Sequence, residues 1–355
     1  MEISDLVGKV QTVLGPIDPD DLGFTLTHEH IFIDISVRFV PPGDDAVIRA
    51  KAKAPVSREI HAWLRYHYSE NKDNLILDDE ETAIQELLRY KSAGGKSIAD
   101  RSNWGLGRAP ASLARVSRAT GLNIIMGTGY YTLLSQTDSN LANEAEEEIA
   151  EKIVREITEG VDGACAGWIG EIGTEWPLVE EERKSLRAAC LAQRRTGAPL
   201  DIHPGRFETS PIELLEIVED AGGDLNRTVM LHMSRTPFML SSRLDMLSTG
   251  CYISYDMFGF EMYYTRKYGV FDLLNDNQCI NEIMELIAEG YLERTLISHD
   301  TAFKHCLSYY GGRGYAHINE NVIPLMRAKG MTDDQIHTIT VENPKRLLTF
   351  VEPVE

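Results

Sequence analysis

The chain has 355 residues, enough for one large barrel of about 250 residues with insertions or for two ordinary domains. Lys plus Arg number 35 against 55 Asp plus Glu, a formal charge of −20 that repels phosphates and anionic headgroups and argues against a nucleic-acid partner. With 43% hydrophobic and 25% charged residues, the composition is that of a folded globular protein rather than a disordered chain.

The opening MEISDLVGKVQ interleaves Glu2, Asp5 and Lys9 with apolar residues and lacks the basic start and apolar run of a secretory signal, so a cytoplasmic location is expected. The long uncharged stretch from Ala119 to Thr137 is interrupted by glycines, Asn123 and two tyrosines, a poor membrane span, and none is expected. Cys165, Cys190, Cys251, Cys279 and Cys306 are odd in number and widely spaced. They form no disulfide framework and no Cys-x-x-Cys motif, and buried reduced thiols are expected.

Eight short β-rich runs occur in order: Phe24 to Asp34, Ser97 to Asn103, Asn123 to Tyr131, Ala166 to Gly173, Leu200 to Gly205, Val229 to Ser234, Tyr252 to Phe258 and Leu296 to Thr301. Helix-period segments alternate with them: Glu80 to Lys91, Ala111 to Ala119, Asn143 to Thr158, Glu180 to Arg195, Pro211 to Ala221 and Ile280 to Glu289. Alternating strands and helices predict a parallel sheet, and eight units with no Gly-x-Gly-x-x-Gly after the first strand predict an α/β fold of the (β/α)8 TIM-barrel kind. Nothing divides the chain, so residues 1–355 read as one domain. Ser36 to Asn74 is a polar, basic and aromatic excursion between the first strand and the first helix. In a barrel it is a long loop insertion over the mouth, either touching substrate or serving only as a flap.

His28 and His30 share one face of the first strand, because side chains alternate. Later strand ends each bring one metal-capable group: Glu171, His203, His232 and Asp300. A barrel gathers the carboxyl ends of its strands around one cavity, so these six side chains are expected in one cluster. Four imidazoles and two carboxylates suit two divalent metal ions, zinc being a good candidate, with Glu171 able to bridge them.

The run from Gly23 through Ile31, containing Thr27-His28-Glu29-His30, followed by Gly170-Glu171-Ile172-Gly173, Ile202-His203-Pro204-Gly205-Arg206, His232, Ser298-His299-Asp300 and Val341-Glu342-Asn343-Pro344, resembles the phosphotriesterase family of the amidohydrolase superfamily. Trp176-Pro177-Leu178 and Tyr310-Gly311-Gly312-Arg313-Gly314-Tyr315 are most similar to its phosphotriesterase-related branch, some of whose members carry a resiniferatoxin-binding label. The resemblance implies a metal-dependent hydrolase with a binuclear centre: His28, His30 and Asp300 on the buried ion, His203 and His232 on the exposed one, and Glu171 between them. Many relatives place a carbamylated lysine at the bridge, so the glutamate here implies assembly without carbon dioxide.

The family mechanism has a metal-bridging hydroxide attack a carbonyl or phosphoryl centre, with Asp300 as the catalytic proton acceptor and then donor. The proton relay of phosphotriesterases proper looks altered at Ser234, Arg235 and Met257, which makes phosphotriester cleavage secondary. The resemblance points to a small amide or ester, an N-acyl amino acid or N-acetyltaurine-like amide first and a lactone as the alternative. A noncatalytic small-ligand-binding barrel is the alternative of another class. Arg206 is a candidate fork for an anionic substrate group. Tyr130, as in related lactonases, is a candidate hydrogen-bond partner of the reacting oxygen. Gly311 to Gly314 reads as a tight turn that could also cradle an anion. A homodimer is the expected assembly.

Overall fold

A computed structural model describes residues 2–137, 139–237, 239–260 and 273–354. Eight parallel strands form one sheet: β1 (Thr25–Glu29), β2 (Ser97–Asp100), β3 (Asn123–Thr128), β4 (Trp168–Gly173), β5 (Leu200–His203), β6 (Thr228–Met230), β7 (Tyr252–Tyr255) and β8 (Thr295–Ile297). Each pairs with its neighbour in sequence order, so the eight predicted runs appear as the eight barrel strands. The seam between β8 and β1 is stitched where the chemistry sits: the Asp300 amide donates to the His28 carbonyl at 3.1 Å and the His28 amide to Ser298 Oγ at 3.0 Å.

The helices obey local rules. After α1 (Ala46–Lys53) and α2 (His61–His67) comes α3 (Glu80–Ser92), whose Asp79 side chain caps the Thr82 amide at 2.7 Å, with acids in its first turn and bases in its last, as the helix dipole favours. α4 (Pro110–Thr120) starts on a proline, α5 spans Glu146–Thr158, and α6 (Glu180–Thr196) ends at Gly197, which takes φ 66°, a left-handed cap that glycine adopts without strain. Among the described residues no helix is long and apolar enough to cross a membrane. All five cysteines are free, and only Cys165 is not fully buried.

The excursion after β1 is more ordered than a loop. Its neck is a two-stranded antiparallel ladder, Ile33–Asp34 on Ile76–Leu77, and α1 and α2 lie within it. It is tied to the chain beyond β8: Lys304 Nζ donates to Asp73 at 2.6 Å, the His305 amide to Asn74 Oδ1 at 2.9 Å, and Tyr68 packs on Phe303.

Candidate metal centre

Five of the six predicted groups are buried side chains at the carboxyl ends of their strands, and Asp300 is partly open, its side chain 16% exposed. The two oxygens of Glu171 divide the histidines into pairs. Oε1 faces His28 Nε2 at 3.8 Å and His30 Nε2 at 3.4 Å, while Oε2 faces His203 Nδ1 at 2.8 Å and His232 Nε2 at 3.5 Å. Asp300 Oδ1 joins the first pair, 3.5 Å from His28 and 3.2 Å from His30. Three overlapping sets, His28 with His232 and Asp300, His28 with His30 and Glu171, and Glu171 with His203 and His232, place their donor atoms close enough to hold an ion.

The residues fit metal ions on two counts. Among the described residues both ring nitrogens of His28 are buried without a hydrogen-bond partner, an expensive arrangement for a group with nothing to coordinate. The field also asks for positive charge. Burial pushes His30 down, yet the facing carboxylates of Asp300 and Glu171 carry it up to about 10. Burial likewise opposes ionisation of Glu171, and the imidazoles, His28 foremost, hold its carboxyl well below the usual range.

A surrounding layer fixes these side chains, as metal ligands require. Ser102 Oγ lies 3.0 Å from His30 Nδ1, and Asp256 Oδ1 lies 2.9 Å from His232 Nδ1. Asn103 donates to the Glu171 carbonyl at 2.5 Å. Glu29 points away from the cluster, as alternation predicts, and its carboxylate accepts from Ser298 Oγ, the His299 amide and ring, and the Thr301 amide at 2.7 to 3.0 Å. It therefore clamps the segment carrying Asp300, and His299 is a packing residue. His232 and Asp300 have φ of 64° and 53°, conformations that cost about 1–3 kcal/mol each and persist where surrounding bonds hold them.

Tyr130 requires a correction. Its hydroxyl donates to Glu144 at 2.8 Å, its ring packs edge-on against Trp104, and it lines a separate hollow of about 780 Å³ with Lys152 and Glu156. The cluster instead meets Tyr131, whose hydroxyl lies 3.3 Å from His203 Nδ1. Burial pushes that hydroxyl well above its ordinary value, so it stays a donor. Arg206 does line the cavity above the cluster, a space of about 70 Å³. Two further arginines, which motif reading overlooked, share the wall: Arg38 from the excursion, and Arg235, whose Nη2 stands 3.0 Å from His203 Nε2. Ile33, Leu106 and Phe303 add an apolar part to the same lining.

The phosphotriesterase family model matches residues 8–348. The chain belongs to the phosphotriesterase family. This family member is 41% identical over 347 residues to a phosphotriesterase-related protein of Nematostella vectensis, covering 97% of this chain and 99% of that one. It is 40% identical over 353 residues to an N-acetyltaurine hydrolase of Danio rerio, covering 98% and 100%. Its fold superposes on a solved resiniferatoxin-binding protein from Rhodobacter sphaeroides with a TM-score of 0.91 at 38% identity, covering 96% and 95%.

Proposed function

We propose that this phosphotriesterase-family enzyme, a metal-dependent hydrolase, cleaves a small N-acyl amide bearing an anionic tail, with N-acetyltaurine as the model substrate. The observation that carries this reading is the cavity itself: five metal-capable groups line it with His28 buried beside them, and Arg38, Arg206 and Arg235 share its wall. Likeness over the full chain to relatives named N-acetyltaurine hydrolase supports the same substrate class.

In this reading His28, His30 and Asp300 hold one divalent ion, His203 and His232 a second, and Glu171 is shared, with zinc favoured by the nitrogen-rich donor set. Bound ions supply Lewis acidity and bring the pKa of water toward neutrality. The remaining steps belong to the chain. The guanidiniums grip the sulfonate or carboxylate through paired hydrogen bonds. The small space above the cluster favours a short acyl group against the apolar wall. Tyr131, protonated, donates to the acyl oxygen as it gains negative charge. Asp300 takes the proton of the attacking water and returns it to the leaving nitrogen.

The test is release of the free amine and acetate from N-acetyltaurine and other N-acetyl amino acids, and of protons from lactones and a phosphotriester, by zinc-loaded protein, with Asp300→Asn and Arg206→Gln beside it. Expected are turnover of an anionic amide, its loss in the asparagine variant and a raised KM in the glutamine variant. Turnover of lactones alone would move the reading to the lactonase branch. Ion retention without any turnover would favour a binding protein.

A further inference from the structure

A second cavity, of about 330 Å³, lies between α2 and the Gly311–Gly314 turn that follows β8. Among the described residues its wall carries His61, Arg65, His305, Arg313 and His317 together with the carboxylate of Asp276. Arg58 flanks the rim, its Cγ 3.5 Å from the point a Cβ on Gly311 would occupy. In a chain of net charge −20, this recess gathers two guanidiniums and three imidazoles in one place.

Asp276 is already engaged: it accepts from His317 Nε2 at 2.7 Å and from the Gly259 amide at 2.5 Å. Arg313 donates to the carbonyl oxygens of Phe258 and His299, each at 2.7 Å, contacts that fix the guanidinium, and its charge reaches Asp276 and Glu29. The glycines make this packing possible. A Cβ on Gly312 would stand 2.2 Å from the His305 carbonyl oxygen, and one on Gly259 would stand 2.0 Å from Arg313 Cδ. The positive field is felt by the imidazoles. Burial and then Arg65 push His61 down, although its bond to the His305 carbonyl opposes this; burial and then His61, Arg313 and Arg65 push His305 down to about 3.

We propose that this cavity binds a small oxyanion, a phosphate, sulfate or carboxylate group, and that its occupancy ties α2 to the turn beyond β8. Concentrated guanidinium and imidazole groups around a recess are the recognition chemistry of such ions. The consequence reaches the catalytic cavity by two routes. Phe260 lines both spaces, and Tyr68 and Ser69, directly after α2, line the catalytic one. An anion here therefore stabilises the excursion in its place over the cluster. The proposal stands on this cavity alone and does not depend on which amide is cleaved.

The experiment uses the full-length protein as purified, with inorganic phosphate as the probe and sulfate and succinate as parallel arms. Thermal unfolding gives binding, and hydrogen exchange over residues 58–67 gives its place. The paired variant Arg58→Gln with Arg65→Gln removes two charges from solvent-reaching positions, and its unchanged Tm without phosphate shows that it folds. Expected are a phosphate-induced rise in Tm, slowed exchange in α2, and about tenfold or greater weakening in the paired variant, with Arg206→Gln behaving as wild type. Preference among the arms identifies tetrahedral or planar oxyanions as the ligand. No phosphate response, an undiminished response in the paired variant, or a response abolished by Arg206→Gln alone would each overturn the proposal.

Discussion

Replacing Arg101 with methionine tests how the barrel floor supports the cluster. Arg101 on β2 and Asp201 on β5 are fully buried and paired, Nε to Oδ2 at 3.0 Å. The guanidinium also donates to the Thr27 carbonyl at 2.9 and 3.2 Å and lies 3.1 Å over the Trp168 ring centroid. One side chain thus ties the residue preceding His28, the strand of Glu171 and the strand of His203. Breaking a buried pair from one side costs about 3–5 kcal/mol, because the other charge remains without compensation. Burial already pushes Asp201 up to about 6, with Arg101 opposing, so losing Arg101 leaves the carboxyl protonated at neutral pH and holds the loss near the lower figure. About 3 kcal/mol, set against an unfolding entropy of about 2.1 cal/mol/K per residue, lowers Tm by about 4 °C in a chain of this length. Urea unfolding at pH 7 is the assay, with Arg101→Met, Asp201→Leu paired as the control. That control replaces both partners with apolar groups and recovers most of the loss. A single variant costing less than about 1 kcal/mol, or a paired variant no better than the single one, would refute this account.

Three further outcomes follow from the same geometry. Glu156 is bound by both Arg108 Nη atoms and by Trp104 Nε1. Burial raises its pKa, but Arg108 more than reverses this and leaves it below 4.5. Its stabilisation is therefore present above that value and lost as pH falls through it, so Glu156→Gln flattens the acid limb of a stability–pH curve measured by urea unfolding. Chelation lowers Tm and zinc restores it: a site filled at about 1,000 times its Kd adds about 4 kcal/mol, and a Tm indifferent to chelator would count against the ligand set. Tyr131→Phe lowers kcat about a hundredfold, whereas Tyr130→Phe costs about 1 kcal/mol of stability through its lost bond to Glu144 and leaves kcat near wild type.

The barrel was legible because parallel strands buried on both faces read as short apolar runs, and because each ends in a group too polar for a core without a partner. The same logic brought together the six side chains that the structure clusters. The likeness to lactonases points to Tyr130, whereas the structure sets Tyr131 beside the cluster and turns Tyr130 to Glu144. Gly129, at φ 120°, breaks the extended path there, so parity no longer says which tyrosine faces the cavity. The helices within the excursion were missed because their polar, basic stretches carry little apolar periodicity, and tertiary contacts with the β8 side hold them. Asp256, Ser102 and Glu29 gain their roles only from neighbours far away in sequence. Arg235 carried a signal, an arginine three residues past a strand-end histidine, that motif reading treated only as the loss of a relay.

The neck of the excursion has a consequence for how such a protein changes over time. Ile33–Asp34 and Ile76–Leu77 hold the two ends of the segment together, so the barrel meets those ends as a pair of adjacent anchor points, and its interior rests on the chain beyond β8. For a loop closed in this way, doubling the enclosed length adds only about 0.6 kcal/mol of closure entropy. Mutation can therefore lengthen, shorten or rewrite much of the interior, with its share of the cavity wall, while the six clustered side chains stay where the strands put them. The wall and the cluster are separable inheritances in this architecture, joined at a short neck and at a few contacts with the β8 side.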